Sequence, residues 1–229
     1  MPDTTTIPVN VILASNSPRR KQLLEEAGVK FTVYTGSTEV DESLDADQRS
    51  QPSEAVKKLA ERKAGSVIQD ILAENPVGLG IVIGADTTVV LDGEMLGKPY
   101  SADHAREMLS RLSGRTHEVI TGVSVLLVML NESEEKGGDG NVSLAFRSFS
   151  ETSTVTFKEL STEDINAYVA TGETIDKAGA YAIQGKGRRL VESYDGDFNN
   201  IVGLPVDTLL KNFPEIMQET IEAEVKPKE

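Results

Sequence analysis

Cysteine is absent from the chain, which excludes disulfide staples, Cys-ligated zinc and a thiolate nucleophile, and suits a reducing compartment. Histidine is nearly absent. With only His104 and His117, a multi-His metal site within one chain has too few ligands. No apolar run approaches the ~20 residues that a membrane span needs, so no membrane partner is expected. The opening Met-Pro-Asp-Thr-Thr-Thr is acidic and polar, unlike a secretory signal, and the expected location is cytoplasmic. Positive charge is scarce: the formal net charge is -14 and the pI is near 4.7. That argues against a nucleic acid polymer as partner, because such binding rests on neutralising phosphates. The sequence also lacks a P-loop ending in Gly-Lys-Ser/Thr, a GxGxxG turn and a G-x-S-x-G nucleophile elbow.

What is present is ordinary for a soluble protein. The 229 residues, 38% hydrophobic and 26% charged, can bury a substantial core as one large or two small domains. Strand-like and helix-like segments alternate, which is the signature of an α/β fold. Strands are expected over 9–14, 31–34, 79–91, 117–130 and 142–157, the third broken at Gly84-Ala85-Asp86. Helices are expected over 19–27, from a Ser53 cap through Leu72, from Ser101 to Leu112, from Ser161 to Ala170 and from Pro205 to Phe213. Asp92-Gly93 is a strong hairpin signal and Asp195-Gly196 a second turn. The expected organisation is a single domain over 9–217, flexible ends at 1–8 and 218–229, and a charged, Gly-rich insertion around 131–141.

Against so acidic a background, Val11-Ile-Leu-Ala-Ser-Asn-Ser-Pro-Arg-Arg-Lys21 stands out. An apolar strand ends in small hydroxyl residues, and Pro18 opens a helix carrying Arg19, Arg20 and Lys21. Ser15 or Ser17 can cap it. A helix N-terminus presents unpaired N–H groups and a positive dipole end, so two guanidiniums there suit a polyphosphate. The same residues also describe a capped helix with solvated cations.

Asp86 follows Ile81-Val-Ile-Gly-Ala85, a run apolar on both faces that reads as a central buried strand. Open α/β sheets hold ligands at the carboxyl ends of such strands. A carboxylate there has to be paired, hydrogen-bonded or metal-bound, or else cap a local turn. The connector 36–51 carries Glu39, Asp41, Glu42, Asp45 and Asp47, and paired carboxylates can hold Mg²⁺ with substrate phosphates, although acidic loops are usually just solvated. Lys63 lies on the polar face of the long helix, and Lys98 sits in a stiff Gly-Lys-Pro turn; either can equally be a solvated surface residue.

Ser15-Asn-Ser-Pro-Arg-Arg20, Val40-Asp-Glu42, Lys63-Ala64, Gly84-Ala-Asp-Thr87, Gly97-Lys-Pro99, Leu112-Ser-Gly-Arg115, Asp176-Lys-Ala-Gly179 and Gly203-Leu-Pro205 occur in this order. Together they resemble the Maf family of nucleoside triphosphate pyrophosphatases, from about Val11 to Phe213; the segment 131–141 departs from the shorter bacterial pattern. The resemblance implies an elongated, two-lobed α/β fold with a central mixed sheet and a cleft, similar to inosine triphosphate pyrophosphatases. It implies hydrolysis between the α- and β-phosphates of a nucleotide with Mg²⁺, Mn²⁺ or another divalent ion. Carried over by motif, Asp86 is the general base and Glu42, with Asp86, binds the metal. Arg19, Arg20, Lys63 and Lys98 hold phosphates beside Ser15. Such chemistry needs positioning and charge neutralisation more than a covalent nucleophile.

Arg19, Thr87 and Gln184 match the branch that acts on dTTP and UTP. The sister branch, linked to 7-methyl-GTP, has an aromatic residue, Gln and Glu in those places. A Gln amide can both donate to and accept from the O4/N3–H edge of uracil or thymine. Two other readings stay open at this point. One is the same chemistry on 7-methyl-GTP or non-standard purine nucleotides; the other is a nucleotide-sensing division regulator with incidental hydrolysis. A homodimer is compatible with all three readings.

Overall fold

A run that is apolar at odd and even positions alike has to be covered on both sides. Gly78–Leu91 is covered in this way, as the central strand of a mixed sheet. The computed structural model describes residues 4–36, 40–73, 78–130 and 142–224, so the expected insertion at 131–141 lies outside the described residues. The strands are β1 (Thr4–Leu13), β2 (Thr32–Val33), β3 (Gly78–Leu91), β4 (Glu94–Leu96), β5 (Thr116–Leu130), β6 (Val142–Phe157), β7 (Val191–Asp195) and β8 (Thr220–Glu224). The α-helices are α1 (Pro18–Glu26), α2 (Ala46–Arg49), α3 (Pro52–Gly65), α4 (Ile68–Ala73), α5 (Ala102–Leu112), α6 (Thr162–Val169), α7 (Phe198–Val202) and α8 (Val206–Asn212). The sheet order is β2-β1-β3-β5-β6-β7, with β4 added to β3 and β8 to β1. β1 runs parallel to β2 and β3, and the other pairings are antiparallel.

Pleat alternation sends the side chains of β3 to two faces of the sheet. Ile81, Ile83, Ala85 and Leu91 join the larger core with Leu24, Leu109, Phe157 and Leu204. Val82 points the other way and packs with Ala64, Val67, Ile71 and Leu126 beneath α3 and α4. Local signals behave as their chemistry dictates. Ser101 accepts from the His104 N–H at 3.1 Å, and Ser161 forms a capping box with Asp164. Asp92 and Gly93, with φ of 53° and 81°, make the tight turn from β3 to β4. No helix among the described residues is long and apolar enough to cross a membrane.

Several expectations are corrected by tertiary contacts. The helix expected from a Ser53 cap starts two residues earlier, with Pro52 in its first turn and Gln51 at the cap position without a side-chain bond. It does not continue to Leu72 either. α3 ends at Gly65, and the Ser66 hydroxyl donates to the Lys63 carbonyl at 2.8 Å, so the chain re-enters a helix only at Ile68. Of the ends expected to be flexible, 1–3 and 225–229 lie outside the described residues, while Thr4–Pro8 pair antiparallel with Thr220–Glu224, each supplying the ladder the other needs. The break expected at Gly84-Ala85-Asp86 is absent, because β3 runs straight through it.

Gly84 is small because a helix lies on it, not because the chain turns. A Cβ there would stand 2.2 Å from the Ala60 carbonyl oxygen and 2.7 Å from the Ala64 nitrogen, both in α3. Gly122 of β5 is the second seat, where a Cβ would meet the Val56 and Lys57 backbone at 2.4–2.5 Å. The two glycines let α3 settle onto the sheet at backbone distance. Gly84→Ala is therefore expected to destabilise the fold by ~1–3 kcal/mol or more, since forcing extra volume into a packed contact costs about that much. Urea unfolding checks this against Gly97→Ala, where nothing lies within 4 Å of the added methyl. Equal midpoints for the two variants would refute the seating argument.

Candidate active site

The sheet has a gap beside Asp86. β1 pairs with β3 only as far as Leu13 and Ile83. The last bond of that ladder runs from the Ala14 N–H to the Ile83 carbonyl at 2.9 Å. β4 takes up the same edge only from Val89. Backbone groups alternate sides along a strand, so the N–H and C=O of Ala85 and Thr87 point the same way as Ile83, into the gap. Asp86 thus lies mid-strand rather than at a strand's carboxyl end; the strand that ends here is β1. Asp86 and Thr87 project from opposite faces, and the cleft reaches both because it wraps around the interrupted edge. The cavity has a volume of about 1050 Å³.

One wall is the loop from β1 into α1. Ser17, not Ser15, caps the helix, accepting from the Arg20 N–H at 3.5 Å. Ser15 accepts from the Ser17 N–H at 3.2 Å and from Arg20 Nη1 at 3.3 Å. Arg20 also donates from Nε to the Gly203 carbonyl at 2.8 Å and from Nη2 to the Thr87 hydroxyl at 3.1 Å. Burial draws the Arg20 pKa below its ordinary value; Asp86 and Glu42 oppose this, while Arg19 adds to it. Arg19 is likewise lowered by burial against the charge of Asp176 and the nearby Tyr168. Two cations at the positive end of a helix dipole oppose that dipole, and a bound anion removes the conflict.

The facing wall is a row of alternating charge. Lys63 Nζ lies 2.5 Å from Asp86 Oδ1 and 2.8 Å from Glu42 Oε1, and Lys98 Nζ lies 3.1 Å from Glu42 Oε2. The seat of α3 on Gly84 and Gly122 brings Lys63 to β3. Glu42 is held from the other side by Arg62, whose Nη1 donates to the Asp41 and Ser43 carbonyls at 2.8 and 2.9 Å. Burial pushes the Glu42 pKa up, but the hydrogen bonds and charge of Lys63, then of Lys98, outweigh it and hold the carboxyl below its ordinary range. The Lys63 and Asp86 side chains are only 16% and 15% exposed, so water screens that pair poorly.

The third wall is the segment 176–184. The Gly179 N–H donates to the Gly97 carbonyl at 3.1 Å, tying this segment to the turn that carries Lys98. The Tyr181 hydroxyl meets His117 Nε2 at 2.7 Å. Burial takes the His117 pKa down to about 4, against the raising influence of the Arg115 backbone, so the ring is neutral near pH 7. The Ala182 N–H is fixed by the Tyr168 hydroxyl at 3.2 Å. Gln184 follows at the cavity wall. Lys186, between two glycines, is exposed outside the cavity, and its N–H bonds Glu173 at 3.2 Å.

Ser15, Arg19, Arg20, Glu42, Lys63, Asp86, Thr87, Lys98 and Gln184 all line this one cavity. Lys177, part of the Asp176-Lys-Ala-Gly179 motif but given no role there, also lines the cavity; the sequence reading missed Arg62, Thr121 and Asn200. Arg62 adjoins Lys63 and could have been suspected; the others carry no local signal. Five cationic side chains and four carboxylates line the cavity, a positive excess in a chain of net charge -14. Among the described residues no group of three or more His, Asp or Glu is placed to hold a metal. Glu42 and Asp86 converge on one ammonium, however, and two hard carboxylates around a cation suit Mg²⁺ when substrate oxygens and water complete its shell.

A family model described as "Maf-like protein" matches residues 10–216. The chain is 46% identical over 205 residues to a Bacillus velezensis protein named dTTP/UTP pyrophosphatase, covering 90% of this chain and 95% of that one. Proteins of the same name from Bacillus thuringiensis and Bacillus anthracis are 45% identical over 201 residues, covering 88% of this chain and 92% of theirs.

Proposed function

The chain belongs to the Maf family, and from that membership and the charged cleft we propose that it is a nucleotide pyrophosphatase that hydrolyses dTTP and UTP to the monophosphate and pyrophosphate. The carrying observation is the row Lys98–Glu42–Lys63–Asp86 facing Arg19 and Arg20 across one cavity. Cations on both walls grip a triphosphate between them. Asp86 takes the proton of the attacking water, and Lys63 orients its carboxylate for that task. Lys63 and Lys98 neutralise charge on the departing pyrophosphate. Glu42 and Asp86 would hold Mg²⁺, or Mn²⁺ in its place, which when bound adds charge neutralisation at the phosphates. A Cys-free nucleotide enzyme of this kind suits the cytoplasm.

The proposal is tested by measuring pyrophosphate release from dTTP, UTP and 7-methyl-GTP by wild type and Gln184→Glu. Wild type is expected to favour the two pyrimidine nucleotides. Gln184→Glu keeps the size of the side chain but replaces an amide donor by a carboxylate. Its kcat/KM for dTTP and UTP is expected to fall roughly five- to 150-fold, the range for one mismatched polar contact, and that for 7-methyl-GTP to fall less. A wild type that prefers 7-methyl-GTP would overturn the pyrimidine assignment. Equal losses on all three substrates would place Gln184 away from the base.

A further inference from the structure

The Arg20 guanidinium is held from behind by a chain of two hydroxyls, the half-buried Thr87 and the fully buried Thr121. Its Nη2 donates to Thr87 Oγ1 at 3.1 Å. Thr87 Oγ1 lies 2.9 Å from Thr121 Oγ1, and Thr121 Oγ1 donates to the Asn200 carbonyl at 2.9 Å. Donor rules fix every direction. A guanidinium only donates and a carbonyl only accepts. The single Thr121 proton is committed to Asn200, so Thr121 can only accept from Thr87. The Thr87 proton is then committed to Thr121, and its oxygen is left to accept from Arg20. Protons therefore point one way along the chain, and the Thr87 lone pair is held aimed at Arg20.

The far end is anchored. Asn200 is fully buried, and its Oδ1 accepts from the Thr121 N–H at 3.2 Å. Its Nδ2 donates to the Val119 carbonyl at 3.0 Å and to Ser153 Oγ at 2.9 Å. Ser153 in turn donates to the Asp197 carbonyl at 3.0 Å, at the cap of α7. Thr121 is fully buried and does not line the cavity.

We propose that Thr121, backed by Asn200, is a positioning residue that locks Arg20 through Thr87 and so sets the enzyme's affinity for the nucleotide's phosphates. This rests on the reading of the cleft as a nucleotide site. Such chains reinforce each bond by polarising the next, and a guanidinium already pointed at its ligand loses little freedom on binding.

The first experiment needs no nucleotide. By nitrogen-15 NMR of wild type, the Arg20 guanidinium should rotate more slowly than those of Arg111 and Arg115, each held to a single carboxylate at a surface site. Rotation as fast as theirs overturns the proposal. The second compares Thr121→Val, which keeps the shape and removes the hydroxyl, with Thr121→Ser, which keeps the hydroxyl. The dissociation constant for α,β-imido-dUTP with Mg²⁺ should rise about five- to thirtyfold in Thr121→Val and stay within about threefold in Thr121→Ser, since only the former breaks the chain. With dTTP as substrate, KM should carry the change while kcat holds within about threefold. Unchanged binding in Thr121→Val, or equal losses in the two variants, overturns the role of Thr121. A wild type that neither binds the analogue nor hydrolyses dTTP would instead overturn the nucleotide reading, leaving the NMR comparison to judge the lock.

Discussion

Asp86→Asn is expected to lower kcat by ~10²–10⁴-fold, the usual cost of deleting a general base, while the fold and nucleotide affinity persist. The amide cannot take a proton from water, but its oxygen can still accept from Lys63. Lys63 also keeps its partner Glu42 at 2.8 Å, so the substitution orphans no buried ammonium. That separates chemistry from stability, which breaking a buried pair normally confounds. Single-turnover rates on dTTP, set beside thermal unfolding and analogue binding, check the point. A variant turning over within threefold of wild type would remove Asp86 from the role of base.

Chelation is expected to have the other large effect. Five cations and four carboxylates line the cleft, so its own positive excess is slight beside a triphosphate. Asp86 and Glu42 would face the phosphates as like charges unless a further cation stands between them. With EDTA, turnover should vanish, and it should return on adding Mg²⁺ or Mn²⁺. The same dialysed protein should keep its unfolding midpoint, because the Lys63 and Lys98 pairs hold the wall without an ion. Full activity in metal-free buffer would refute the metal assignment.

Much of the frame was legible because its signals are local. The Asp92-Gly93 turn, the Ser101 and Ser161 caps and the two-sided burial of β3 each follow from a few neighbouring residues. The misreadings share one cause, contacts between residues distant in sequence. Gly84 resembles a strand break until α3 is known to lie on it. The ends look like polar tails until β1 and β8 are known to pair. α7 offers too few residues for a periodic pattern, and its Asn200 gains meaning only beside Thr121. In the site, Arg19, Arg20, Asp86, Lys63 and Lys98 were legible from their motifs, and the structure gathers them around one cavity. The direction of the Thr87 hydroxyl was not legible, because it depends on a proton committed 34 residues further along the chain.

The uninterrupted β3 acts as a beam. On one side of its five-residue gap hangs the β1–α1 jaw with Arg19 and Arg20; on the other hangs the β4 hairpin, followed by Lys98. Along its back, β5 is clamped to it from Gly78 to Val90. With β3 braced over that length, the spacing of the two jaws is set when the sheet forms. The span of the cleft then becomes a property of the frame, and its chemistry a property of the side chains at the jaw tips.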